Sequence, residues 1–300
     1  MARVNEIRYV GYGVKDLEAE RVFYRDDWGL REVAEQDGAI YLASQGQDEH
    51  HVVRLRGSDV NRIDVIALSA ADTATVDLLH DQVAAAGAQS IFAPKTLTTP
   101  GAGYGFRFFS PDGVPFEVSS DVERVEARTV RPQEGIPDRI SHVVLHSPKP
   151  KAMAQFFVDA LGFRVSDWIT EFMGFLRCNS AHHRIALLPG PPCLNHVAYD
   201  VATVDSMMRG IGRLRRNGTD VRWGPGRHLA GDNTFAYFTT PNGFPVEYTS
   251  DLEEVDDETH QHQVYEMSPK VLDQWGYASN GPQNMPAPKA DPCLFQPASI

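Results

Sequence analysis

His142, His196 and Glu247 are the residues of this chain whose types and placement could do chemistry. Each falls within a short strand-like segment. Two imidazoles and a carboxylate meeting at one point form a ligand set for a non-haem divalent ion such as Fe(II) or Mn(II), with coordination positions left open for substrate and O2. The same donors also serve zinc, so residue type leaves the metal open. Taken singly, a strand histidine is more often a hydrogen-bonded structural residue, and a strand glutamate is usually solvated. The balance changes because all three fall in register with an internal repeat. The other copy of that repeat reads Tyr9, Asp64 and Glu117 at the corresponding points, so only one copy offers the two imidazoles.

The repeat has a period of about 130 residues, long enough to be a duplicated domain. IRYVGYGVKDLEAERVFYRDDWGLREV from Ile7 resembles ISHVVLHSPKPKAMAQFFVDALGFRVS from Ile140, EHHVVRL resembles AHHRIAL, and PDGVPFEVSSD resembles PNGFPVEYTSD. Within each copy, alternating segments such as RISHVVLHS predict strands. The segment KPKAMAQFFVDALGF has helical spacing and a stop at Gly162, paralleled by a helix ending at Gly29. A second helix over about 205–216, closing near Gly218, is paralleled by one closing at Gly87. The expected fold class is therefore α+β: tandem β-α-β-β-β modules forming two similar domains, each a curled mixed-sheet barrel. Residues 1–123 are expected to form a structural domain without metal and 139–258 a catalytic metal-binding domain. The Pro- and Gly-bearing stretch 124–138 reads as a linker. The tail 259–300 is expected to pack as an extended strap or to remain partly disordered.

Alternation also selects faces. In PVEYTS, Glu247 shares a side with Pro245 and Thr249; in CLNHVAYDV, His196 shares a side with Leu194, Ala198 and Asp200. A curled sheet brings these faces inward. Composition sets the outer limits. With 42% hydrophobic and 23% charged residues in 300, the chain is globular and long enough for two cores. A net charge of -12 argues against nucleic acid as a partner. No apolar run approaches the roughly 20 residues of a membrane span. The opening MARVNEIRYV has no continuous apolar signal region, and the three cysteines have no CxxC spacing. A cytoplasmic protein with reduced thiols is the expectation.

The text around the carboxylate, GRHLAGDNTFAYFTTPNGFPVEY, resembles the signature of type I extradiol ring-cleaving dioxygenases of the vicinal oxygen chelate superfamily, similar to catechol 2,3-dioxygenase and 2,3-dihydroxybiphenyl 1,2-dioxygenase. The matching positions are Gly226, His228, Tyr237, Pro241, Gly243 and Glu247. Ala236 departs from the larger aliphatic residue of that pattern, which would reshape a pocket wall without removing a reactive group. RCNSAHHRIAL supplies the expected His-His pair, and LNHVAYDV resembles the strand of the second ligand. The resemblance runs from the N-terminus to about residue 258. It implies a glyoxalase/dihydroxybiphenyl dioxygenase-like fold, Fe(II) or Mn(II) on His142, His196 and Glu247, His183 as the acid–base histidine, and His228 with Tyr237 hydrogen-bonding a catechol. It further implies O2 as co-substrate, a hydroxymuconic semialdehyde-type product, and a homo-oligomer.

Fewer residues mark the substrate. Phe172 in EFMGFL and Pro192 in PGPPCL are candidate apolar walls, and Arg177 and Arg184 are candidate carboxylate binders by proximity alone. His182, His50, His51, His260 and His262 read as structural or solvent-facing, with the HQH run at His260 exposed on an acidic tail. Two rivals share the scaffold. One is a metal-dependent isomerase or thiol transferase of glyoxalase type, and the other is a non-catalytic protein that sequesters an aromatic ligand.

Overall fold

The structure, a computed structural model, describes residues 1–278 and 281–289; Cys293 and the rest of the expected tail lie outside the described residues. The first half runs β1 (Glu6–Val14), α1 (Leu17–Val22), β2 (Arg31–Gln36), β3 (Ala39–Ala43), β4 (Val53–Gly57), β5 (Arg62–Ser69), α2 (Thr73–Ala85), β6 (Gln89–Thr96), β7 (Tyr104–Phe109) and β8 (Pro115–Ser120). The second runs β9 (Arg139–Ser147), α3 (Pro150–Leu161), β10 (Arg164–Ile169), β11 (Met173–Arg177), β12 (Ile185–Pro189), β13 (Cys193–Asp200), α4 (Val204–Arg216), β14 (Trp223–Arg227), β15 (Thr234–Thr239) and β16 (Pro245–Ser250), followed by β17 (Gln263–Tyr265) and α5 (Pro269–Leu272).

Strand order is β2-β3-β4-β1-β5-β8-β7-β6 in one sheet and β17-β10-β11-β12-β9-β13-β16-β15-β14 in the other. Each sheet is two β-α-β-β-β modules joined at a central antiparallel pair, β1–β5 or β9–β13. Within each module the first and last strands pair in parallel, as β9–β12 and β13–β16 do. The duplicated sequence has thus become a duplicated mixed sheet.

Local sequence explains the element ends. α3 opens with Pro150 and buries Met153, Phe156, Phe157 and Leu161 along one side. It stops at Gly162, whose φ of 71° is the left-handed conformation that glycine adopts without a Cβ penalty. α4 is capped by the Thr203 side chain, which accepts from the Ser206 amide, and carries Arg213, Arg215 and Arg216 where its dipole favours cations. The first helix ends at Gly29 (φ 93°) as expected but changes type on the way. It is α-helical only over Leu17–Val22 before widening into a π-turn at Phe23–Asp27, with the Trp28 amide donating to the Phe23 carbonyl at 2.7 Å. Phe23, Tyr24 and Trp28 are all buried as a result.

Those aromatics tie the halves together. Trp28 stacks on Tyr248 with centroids 4.0 Å apart, and Phe116 meets Phe157 edge-on at 5.6 Å. One apolar core runs through both halves. Each buried ring contributes about 1.5–3 kcal/mol relative to exposure. Tyr248 is the chain neighbour of Glu247 and points the opposite way along β16, so packing from the first half steadies the strand that carries the carboxylate.

Candidate metal centre

The register of four adjacent strands assembles the site. Ala198 on β13 lies opposite His142 on β9 and also opposite Glu247 on β16. His196 is two residues from Ala198, hence on the same face. Tyr237 on β15 lies opposite Glu247. The small Ala198 side chain leaves the space into which the donors reach. His142, His196 and Glu247 are buried, and their donor atoms all lie within 4.8 Å of one another.

Hydrogen bonds behind the donors aim them. The Pro189 carbonyl can only accept, so His146 donates from Nδ1 at 3.1 Å and accepts on Nε2 from the Asn195 amide at 2.9 Å. Asn195 Oδ1 then accepts from His196 Nδ1 at 2.5 Å, which leaves the His196 Nε2 lone pair facing the centre. His142 Nδ1 is 3.3 Å from Ser141 Oγ. At the centre, His196 Nε2 and His142 Nε2 approach Glu247 Oε2 to 2.9 and 3.3 Å. Nevertheless both Glu247 oxygens and His196 Nε2 are buried without a directed hydrogen-bond partner. Orphaned buried acceptors cost free energy, and three converging on one point fit a divalent cation. Burial raises the Glu247 carboxyl pKa, but His142 and His196 more than offset this and hold it well below the usual range.

Around the donors stand the other candidates. His183 packs on His142 with centroids 4.3 Å apart, and burial drives its pKa well below the ordinary value. His228 Nδ1 donates to the Leu272 carbonyl at 2.8 Å, so Nε2 is the acceptor, 3.2 Å from the Tyr237 hydroxyl. Burial lowers the His228 pKa to about 4, against partial opposition from Glu247. Burial and the Glu247 charge raise the Tyr237 pKa well above that of a free phenol. The pair is therefore a neutral imidazole facing a protonated hydroxyl.

Other residues stand elsewhere. Phe172 lies in the β10–β11 turn and is 41% exposed, whereas Phe175 on β11 packs against His183 at 5.1 Å. Pro192 is half-buried in the turn before β13. Arg177 is held by Asp257, the Val165 carbonyl and Ser166, and Arg184 by Glu6 and the Ser141 carbonyl, so both are committed to structural contacts. His260 is half-buried, not exposed: it and His262 both donate to the Ser166 carbonyl as β17 docks on β10. His182 is fully buried between His183 and Asp167. Ala236 is buried in the core on the opposite side of β15 from Tyr237.

The first half requires a correction. Tyr9 and Glu117 both lie opposite Ala67, the counterparts of His142, Glu247 and Ala198, but the residue two before Ala67 is Val65. Val65, not Asp64, stands where His196 stands. Asp64 is the bulged residue just before Val65, as Asn195 is the bulged residue just before His196, so Asp64 matches Asn195 and not the metal donor. Asp64 is instead gripped by Arg54, Arg56 and Arg62. Arg107 takes the place of Tyr237 and donates to Glu117 at 2.8 Å.

The fold and the centre define a metal-dependent enzyme of paired β-α-β-β-β modules. The family model of the Glyoxalase/Bleomycin resistance protein/Dioxygenase superfamily matches residues 6–118 and 139–248, and the chain belongs to that superfamily. Among curated relatives, it is 29% identical over 261 residues to the manganese-dependent 2,3-dihydroxybiphenyl 1,2-dioxygenase of Geobacillus genomosp. 3, covering 80% of this chain and 82% of the relative. Among solved structures, the Mn(II)-bound glyoxalase from Novosphingobium aromaticivorans is 60% identical with a TM-score of 0.97, covering 99% of both chains. Homoprotocatechuate 2,3-dioxygenase from Arthrobacter globiformis is 23% identical with a TM-score of 0.84, covering 100% of this chain and 92% of that one, and supports the fold.

Proposed function

We propose that this chain opens the ring of a catechol-type aromatic beside its paired hydroxyls, adding both atoms of O2 to give a hydroxymuconic semialdehyde-type product. The observation that carries this reading is the unsatisfied His142–His196–Glu247 cluster with His183 on one side and the His228–Tyr237 pair on the other. Fe(II) or Mn(II) held by the three donors would bring catechol and O2 together and acidify the catechol hydroxyls. The chain's own residues do the rest. Tyr237, kept protonated, donates a hydrogen bond to one catechol oxygen, while the bare Nε2 of His228 accepts from a hydroxyl. His183 holds the proton released by the catechol and returns it as the O–O bond breaks. Phe175 and the apolar Ile169, Val144 and Ala230 around it keep water from that exchange.

In this reading residues 139–258 perform the chemistry, and residues 1–123, joined through 124–138, hold them in shape. Pro192 borders the substrate and Phe175 replaces Phe172 as the aromatic wall. The chain works in the cytoplasm, in keeping with its buried free Cys178 and Cys193. It works as a homo-oligomer, supported by the exposed Val264, Met267, Trp275 and Tyr277 near the C-terminus.

The 60% identical glyoxalase favours a second reading, metal-dependent isomerisation of a thiol adduct. One experiment separates the two. The protein is loaded anaerobically with Fe(II) or Mn(II), then given a panel of catechols with oxygen, or a methylglyoxal–thiol adduct without it. Yellow product with one O2 consumed per ring supports ring cleavage. Isomerised adduct with no oxygen uptake on any catechol would replace that reading with the second.

A further inference from the structure

Behind His183 lies a buried chain of polar groups that the proposed reaction does not use. His183 Nδ1 is 3.0 Å from His182 Nδ1, and His182 Nε2 is 2.9 Å from Asp167 Oδ2. His182 is 0% exposed and Asp167 2%. Directions follow from what each atom can do. A carboxylate only accepts, so His182 carries its proton on Nε2 and its Nδ1 is an acceptor. The His183 proton must then sit on Nδ1, leaving Nε2, on the far side of that ring, with a free lone pair.

The first half supplies an internal control. His50 and His51 make the same Nδ1–Nδ1 contact at 3.0 Å, and His51 packs on Tyr9 at 4.3 Å just as His183 packs on His142. β2 bulges between Glu32 and Ala34 as β10 bulges between Val165 and Asp167. Ala34 therefore takes the register position of Asp167. Among the described residues His50 has no carboxylate hydrogen-bond partner, and His51 Nε2 is buried without any partner. Packing a histidine pair into this fold thus does not require the carboxylate. It is present only in the half that carries the metal donors.

We infer that Asp167 is a positioning residue: acting through His182, it fixes the tautomer of His183 so that Nε2 meets the substrate as a proton acceptor. The inference rests on the proposed ring cleavage for its kinetic consequence, but not for the tautomer itself. Asp167 also accepts from the Gln263 amide at 2.8 Å, so a purely structural role as an anchor for β17 must be separated. Asp167→Asn makes that separation. Its carbonyl oxygen can still accept from Gln263, while its NH2 faces His182 Nε2 and reverses the polarity there. His182 then protonates on Nδ1, and the His183 proton moves to Nε2, where it blocks acceptance.

The test combines long-range 15N–1H correlation of the imidazoles in the metal-free full chain with steady-state kinetics of the metal-loaded chain on its best catechol. The inference expects His182 protonated on Nε2 and His183 on Nδ1 in the unaltered protein, and both reversed in Asp167→Asn. It also expects kcat to fall roughly 10- to 100-fold with KM and metal content little changed. Unreversed tautomers, or unchanged kcat in fully loaded Asp167→Asn, would overturn it. Should that variant not fold, the unaltered protein decides, because His182 protonated on Nδ1 is incompatible with the inference. If reversal occurs but even the unaltered protein cleaves no catechol, ring cleavage is the reading that fails, and the positioning role stands for whatever proton His183 handles.

Discussion

The two halves of this molecule share a sheet topology, a buried glutamate opposite an alanine, and an edge-on histidine pair, yet only one has the means to hold a metal. In the second half, Glu247 faces two imidazole nitrogens and has no directed hydrogen-bond partner. In the first, Glu117 accepts from Arg107 at 2.8 Å and from Ser119, and Arg8 stands close behind. Burial raises the Glu117 pKa, and the Arg107 and Arg8 charges bring it net below the usual value. One buried carboxylate is neutralised by a side chain already in the fold, and the other awaits a cation from outside. Three side-chain differences at matched register points, Tyr9 for His142, Val65 for His196 and Arg107 for Tyr237, account for the change.

The sharpest way to break this comparison is to remove each carboxylate in turn. Glu247→Ala should abolish metal binding and turnover together, read by metal analysis and oxygen uptake. Retained stoichiometric metal would contradict the assignment. His183→Ala should keep its metal but lose about 10²–10⁴-fold in turnover, so normal turnover in a loaded variant would remove its acid–base role. Glu117→Ala should leave metal content unchanged but strand Arg107 without its partner. A loss of about 3–5 kcal/mol in denaturant unfolding is expected. Metal loss at constant stability would reverse the roles given to the halves.

The smallest effect is in pH. Burial holds the His228 pKa near 4 and also lowers those of His183 and His196. Unfolding returns them to the ordinary value near 6.5, so below that pH the unfolded chain binds more protons than the folded one. Stability of the metal-free protein should therefore be complete above about pH 6.5 and fall as pH drops towards 4. Thermal melts across that window should slope downward with acid, and less steeply in His228→Gln. An identical slope in that variant would deny His228 its share.

Much of this was legible in the sequence because duplication exposes difference. His142, His196 and Glu247 stood out against the other copy, and the stop at Gly162 marked where α3 ends. What remained hidden depends on bulges and on contacts between distant segments. An offset of 132 (196 − 64) pairs His196 with Asp64, whereas strand register pairs it with Val65, one residue on, and the matching bulges at Asp64 and Asn195 that set this register leave no trace in composition. The partners that orient the histidines, Asn195, Asp167 and the Leu272 carbonyl, are matters of side-chain direction and chain return. Phe175 could have been preferred to Phe172, because Phe175 and Arg177 alternate along β11 while Phe172 precedes that strand.

Anomalous diffraction from crystals grown with Mn(II), collected above and below the manganese absorption edge, tests the asymmetry most directly. The account predicts one peak per chain, among His142 Nε2, His196 Nε2 and the Glu247 carboxylate, and none beside Glu117. A peak in the first half, or an active manganese-loaded protein whose peak lies away from those three residues, would contradict it.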